Sequence, residues 1–124
     1  MQRVITYDQV AKIADDVVDR IGFAHVESSA RYFDVDTGGP TCLVGYILSD
    51  LGVSVVDAHR RIPTWPKETD VNYMTFSYLT WDDVHFEDKA VDFLDFAQFS
   101  QDLGDTWGIA VVSAKDEVRK KYGN

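Results

Sequence analysis

The stretch Phe93 to Val112, FLDFAQFSQDLGDTWGIAVV, constrains this chain more than any other. Apolar residues recur at helical spacing through both halves. The pattern predicts one helix ending near Gly104 and a second starting at Thr106, with Trp107 at the corner. Trp107 should pack across that corner onto Phe93, Leu94 or a central helix. The stretch speaks to architecture and not to chemistry, because it holds no nucleophile, phosphate loop or metal cluster.

Upstream, Thr6 followed by Gln9 forms a capping box for a first helix. Tyr7, Val10, Ala14, Val17, Val18 and Ile21 then fall on one face, and Lys12, Asp15, Asp16 and Asp19 on the other. Gly22 ends that helix. Arg31 to Val35 has strand-like content after the turn-prone Glu27-Ser28-Ser29, which predicts a small hairpin. Pro40 suits the first position of a further helix. Thr41 to Leu51 is apolar nearly all round, as in a central, buried helix. Gly45 inside it costs about 1 kcal/mol of helix propensity, so another element should approach closely there. Ser54 caps a short helix from Val55 to Arg61, and Ile62 to Asp70 is an extended connector around Pro63 and Pro66. Val71 to Trp81 has the composition of a strand and the spacing of a helix, and context favours the helix. The expected fold is mainly α: one compact domain over 1–124, with four or five helices and a small β-hairpin between the first and second.

The length fits one domain, and 45% hydrophobic residues supply a packed core. The net charge of −9 repels nucleic-acid phosphates and anionic lipid, so direct nucleic-acid binding is not expected. The single cysteine allows no internal disulfide, and no segment has the roughly 20 apolar residues that span a bilayer. A cytoplasmic protein with no membrane contact is the expectation.

Cys42 is the sharpest chemical candidate. A thiol at a helix start has its pKa lowered, and His25, His59 and His85 are available as bases. The competing reading is a small buried hydrophobe among Leu43, Val44 and Ile47. No metal is expected: counted from Asp34, the sixth residue is Gly39 but the twelfth is Gly45, where a calcium loop needs Glu. No cofactor motif is present, since Gly38-Gly39 lacks the Lys-Ser/Thr of a phosphate loop. On the helix Glu87 to Leu103, Ala90, Phe93, Leu94 and Ala97 face one way. Asp88, Asp92, Asp95 and Asp102 face the other, with Phe99 among them and Phe96 at the edge. This is the candidate partner surface, unless Val71 to Trp81 roofs it. Asp82 to Asp105 holds eight acidic residues and one basic one, Lys89, a density that also fits an acidic nucleic-acid mimic.

Two stretches carry a resemblance: Pro40-Thr41-Cys42-Leu43-Val44-Gly45 through Leu51-Gly52-Val53, and Ala90, Phe93-Leu94, Gln98, Gln101-Asp102, Gly104, Trp107-Gly108 and Ala110-Val111. Together they resemble a group of small uncharacterised proteins encoded by phages of actinobacteria. The resemblance implies a phage origin and a mainly helical fold, and no reaction. Three functions follow as expectations. The first is a non-enzymatic interaction protein acting on a host protein, with a homo-oligomer as a further option. The second is a thiol enzyme using Cys42, and the third an acidic mimic.

Overall fold

The computed structural model describes residues 2–26, 32–34, 36–60 and 76–123. Four α-helices lie among the described residues: α1 (Tyr7–Ile21), α2 (Leu43–Leu51), α3 (Asp88–Asp102) and α4 (Trp107–Tyr122). Two short strand pairs accompany them. β1 (Arg3–Ile5) runs parallel to β4 (Val84–Phe86), pairing Arg3 with Val84 and Ile5 with Phe86. β2 (His59–Arg60) runs antiparallel to β3 (Leu79–Thr80). The chain is mainly helical with a small sheet component, as its periodicity implies.

α1 begins where the capping box places it. The Thr6 hydroxyl accepts from the Gln9 N–H, and the Gln9 side chain accepts from the Thr6 N–H at 2.8 Å. Val10, Ala14 and Val17 are buried on its inner face. At roughly 1.5–3 kcal/mol for each fully buried aliphatic side chain, this stripe fixes the rotation of the helix. α3 and α4 form an antiparallel pair, the most extensive helix contact among the described residues. Their corner needs Gly104, whose φ of 95° is strained for any residue with a Cβ. Thr106 caps α4 through Ile109. Trp107 is fully buried, edge-on to Tyr46 of α2 at 5.4 Å and to His25 at 4.5 Å. It meets the central helix, one of its expected neighbours.

Five expectations need correction or limits. The β-hairpin between the first and second helices reduces, among the described residues, to one antiparallel bridge between Phe33 and Pro40. Pro40 therefore belongs to that bridge and does not open α2; Cys42 is the N-cap. The helix Val55 to Arg61 stops after a 3-10 turn, Val55–Asp57, because His59 and Arg60 pair with Thr80 and Leu79. In Val71 to Trp81 the described part is a 3-10 turn, Phe76–Tyr78, followed by β3, so strand composition prevails over helical spacing there. The connector Ile62 to Asp70 lies outside the described residues.

The buried side chains form one set drawn from all four helices and from β1, β3 and β4. Phe76, Trp81 and Phe86 add an aromatic cluster, with ring centroids 5.0–5.7 Å apart, where β4 meets the 3-10 turn.

Candidate functional site

Cys42 sits at the start of α2, fully buried. Its Sγ accepts the Gly45 N–H at 3.3 Å. The next free N–H of the helix, from Leu43, goes to the Gln101 side-chain oxygen at 2.8 Å. Gln101 is itself buried and reaches across from α3. The Tyr32 carbonyl accepts the Thr41 N–H at 2.9 Å. A Cβ on Gly45 would lie 2.1 Å from that carbonyl oxygen. This is the close approach that Gly45 implied. The sulfur thus closes a helix end in a packed interior.

The histidines serve other contacts. The His25 ring lies against Trp107, and its carbonyl accepts the Trp107 N–H at 2.9 Å. His59 meets Asp82 at 3.1 Å on the surface, and His85 is exposed on β4. Beside Cys42 the burial of Tyr32 pushes its phenol well above the ordinary range, with nearby negative charge from Cys42 and two aspartates adding to the effect.

The acidic face of α3 divides. Phe99 is 64% exposed and Leu103 68%. Phe96, three residues before Phe99, is half-buried against the core. Phe96, Phe99 and Leu103 make one apolar stripe at helical spacing. Asp95 and Asp102 lie along its side. The Asp95 Oδ1 accepts the Ser77 N–H at 3.1 Å, so the 3-10 turn approaches α3 at Asp95 and leaves Phe99 uncovered. Asp102 is exposed, yet partial burial pushes its carboxyl above the usual range, with the Gln101 amide opposing that push. Asp92 is different. It bonds Lys121 at 2.8 Å and accepts a very short hydrogen bond from the Tyr122 hydroxyl. Its charge is spent on the end of α4. Of the five residues expected at a partner surface, Phe99, Phe96, Asp95 and Asp102 lie together, and Asp92 closes one end of the face.

Sequence reasoning treated Leu103 only as a helix end, although its i+4 spacing from Phe99 was readable. It also passed over a groove of about 380 Å³ between α1 and α4, lined by Val18, Phe23, Val111 and Val112 beside an Asp15–Lys115 pair at 2.7 Å. That groove depends on helices packed from opposite ends of the chain, and nothing local announces it.

Other carboxylates of the acidic segment have structural partners. Glu87 accepts the Tyr7 N–H at the start of α1, and Asp105 accepts the Ser100 hydroxyl at 2.6 Å. Asp82 and Asp92 also have partners, His59 and the Lys121–Tyr122 pair, so several of the eight carboxylates are tied into the fold. No cluster of metal-ligating side chains occurs among the described residues, and none of their helices is long and apolar enough to cross a membrane. Compared with known protein families, curated proteins and solved structures, the chain matches none.

Proposed function

We propose that the chain works as a single-domain, non-enzymatic interaction module, encoded by an actinobacterial phage and acting on a host protein in the host cytoplasm. Its contact surface is the stripe Phe96, Phe99 and Leu103 with Asp95 and Asp102 alongside. One observation carries this reading: two large apolar side chains, Phe99 and Leu103, stand about two-thirds exposed on a helix whose opposite face is buried. Aromatic anchors ringed by polar groups are the usual energetic centre of a protein contact. The resemblance to small phage proteins supports the origin, and the closed surroundings of Cys42 leave the thiol reading without a comparable support.

The test is Phe99→Asp. Its melting temperature should stay within about 2 °C of the wild type, since surface changes are usually worth less than about 0.5 kcal/mol. Beads carrying the variant should lose the host protein that wild-type beads retain from an actinobacterial lysate. Undiminished capture overturns the reading. Unfolding of the variant overturns it too, by making Phe99 part of the core.

A further inference from the structure

The α3 stripe has the geometry of a coiled-coil seam. With Phe96 at position a of a heptad, Phe99 falls at d and Leu103 at the next a. Leu103 keeps a helical backbone, with φ −76° and ψ −4°, so the spacing holds through the last turn. Asp88, Asp95 and Asp102 are seven residues apart and occupy the three successive g positions. The e positions, Phe93 and Ser100, are buried. The seam is therefore apolar along its middle, acidic along one side and closed along the other. Its N-terminal end is shut by the Asp92–Lys121–Tyr122 cluster. The open length, from Phe96 to Leu103, is about two helical turns, or roughly 10 Å.

We infer that this seam receives an α-helix of a partner protein, apolar at its own a and d positions and carrying Lys or Arg on the side that faces Asp95 and Asp102. The inference rests on the interaction reading above and names its partner class. Charge decides the occupant. A second copy of this chain cannot use the same face: antiparallel pairing sets one row of g carboxylates against the other, and parallel pairing needs the buried e side. Membrane and nucleic acid carry the same sign as the seam and are repelled. A basic helix is drawn in, and its apolar residues cover Phe99 and Leu103. Two turns of seam make a weak, salt-sensitive contact.

The experiment uses three synthetic 21-residue peptides, three heptads each, against the full isotope-labelled chain. One has Leu at a and d with Lys at e and g, the second has Glu in place of Lys, and the third is the lysine peptide interrupted by proline. At low salt the lysine helix should bind at least about tenfold tighter than the glutamate helix, and the preference should shrink as salt shortens the Debye length. Amide shifts should centre on Phe96 to Leu103. An Asp102→Asn variant, which keeps an acceptor for the Gln101 amide, should weaken the preference and keep its melting temperature. Equal binding of the glutamate or proline peptide overturns the inference, as do shifts centred elsewhere. If no peptide binds while host capture still depends on Phe99, the helix is the wrong partner and the interaction reading stands. If capture ignores Phe99, both fall.

Discussion

Gly45 and Gly108 each lie on a helix with no room for a methyl group, yet their substitution has different consequences. At Gly45 the obstacle is backbone: a Cβ would sit 2.1 Å from the Tyr32 oxygen and 3.0 Å from its carbonyl carbon. Neither helix nor loop can yield without breaking the Thr41 to Tyr32 bond that joins them. Gly45→Ala should lose roughly 2–3 kcal/mol of stability, because overpacking outweighs the gain of about 1 kcal/mol in helix propensity. At Gly108 the obstacle is the ring of Phe23, which is half exposed and free to swing outward. Gly108→Ala should stay within about 1 kcal/mol of the wild type. Urea unfolding of both variants checks the contrast, and equal losses would show that backbone contact is not what distinguishes them. Cys42 supplies a second prediction at this scale. It is both packing and cap, so Cys42→Ala should cost about 2 kcal/mol, half from the lost cap and half from the lost volume. The native thiol should resist iodoacetamide at neutral pH. Rapid alkylation would contradict its burial.

Between elements, helix ends are closed by other parts of the chain. Glu87, at the start of α3, accepts the Tyr7 N–H at the start of α1. The Arg3 guanidinium donates to the Leu51 carbonyl at the end of α2, at 2.7 Å. The carbonyls of Phe23 and His25 accept the first two N–H groups of α4. Gln101 does the same for α2 from within the core, which makes it the most telling side chain to remove. Gln101→Met keeps the volume and deletes the acceptor, leaving the Leu43 N–H buried and unpaired at a cost of about 1–3 kcal/mol. A drop in the urea midpoint at unchanged slope is the expected signature. A midpoint equal to the wild type would mean that α2 finds its cap elsewhere. These reciprocal caps also explain what the sequence made legible. α1 and α4 begin at Thr6 and Thr106, whose partners are three residues away, so their starts could be read. α2 begins at Cys42 because of Tyr32 and of Gln101, which lies 58 positions from the Leu43 it caps, and Pro40 misled. His59–Arg60 and Leu79–Thr80 are strands only because they meet each other, and helical spacing in either segment carries no trace of the pairing. The exposure of Phe99 followed from rotation about one helix axis. The loss of Asp92 from the same face did not, since it depends on where α4 ends.

Across the whole molecule, 21 acidic side chains face 12 basic ones, and three of the cations, Arg119, Lys120 and Lys121, lie in the last turn of α4. There Lys121 and Tyr122 converge on Asp92. Partial burial raises the Asp92 carboxyl, but hydrogen bonds from Lys121 and Tyr122 and the Lys121 charge more than offset it, and its pKa lies below the ordinary 3.8. Lys121 is raised above 10.5, first by its bond to Asp92. The Tyr122 phenol is raised above 10.0 by the same partner. A depressed carboxylate stabilises the fold above its unfolded pKa and loses that contribution as pH falls through its folded pKa. Raised Lys and Tyr groups stabilise below their unfolded values and lose the contribution as pH rises through the folded ones. The cluster is therefore an intermediate-pH tie, complete between about pH 5 and pH 9 and failing on both sides. Asp102, with its raised carboxyl, works in the opposite sense in acid, so the wild-type curve alone mixes the two. The difference between wild type and a Lys121→Gln, Tyr122→Phe double variant cancels Asp102 and isolates the tie. Urea stability of the two proteins should differ most across neutral pH and converge toward about pH 3 and about pH 11. A difference that stays constant over that whole range would mean that Asp92 is not held by these two groups, and that the N-terminal end of the α3 seam is open.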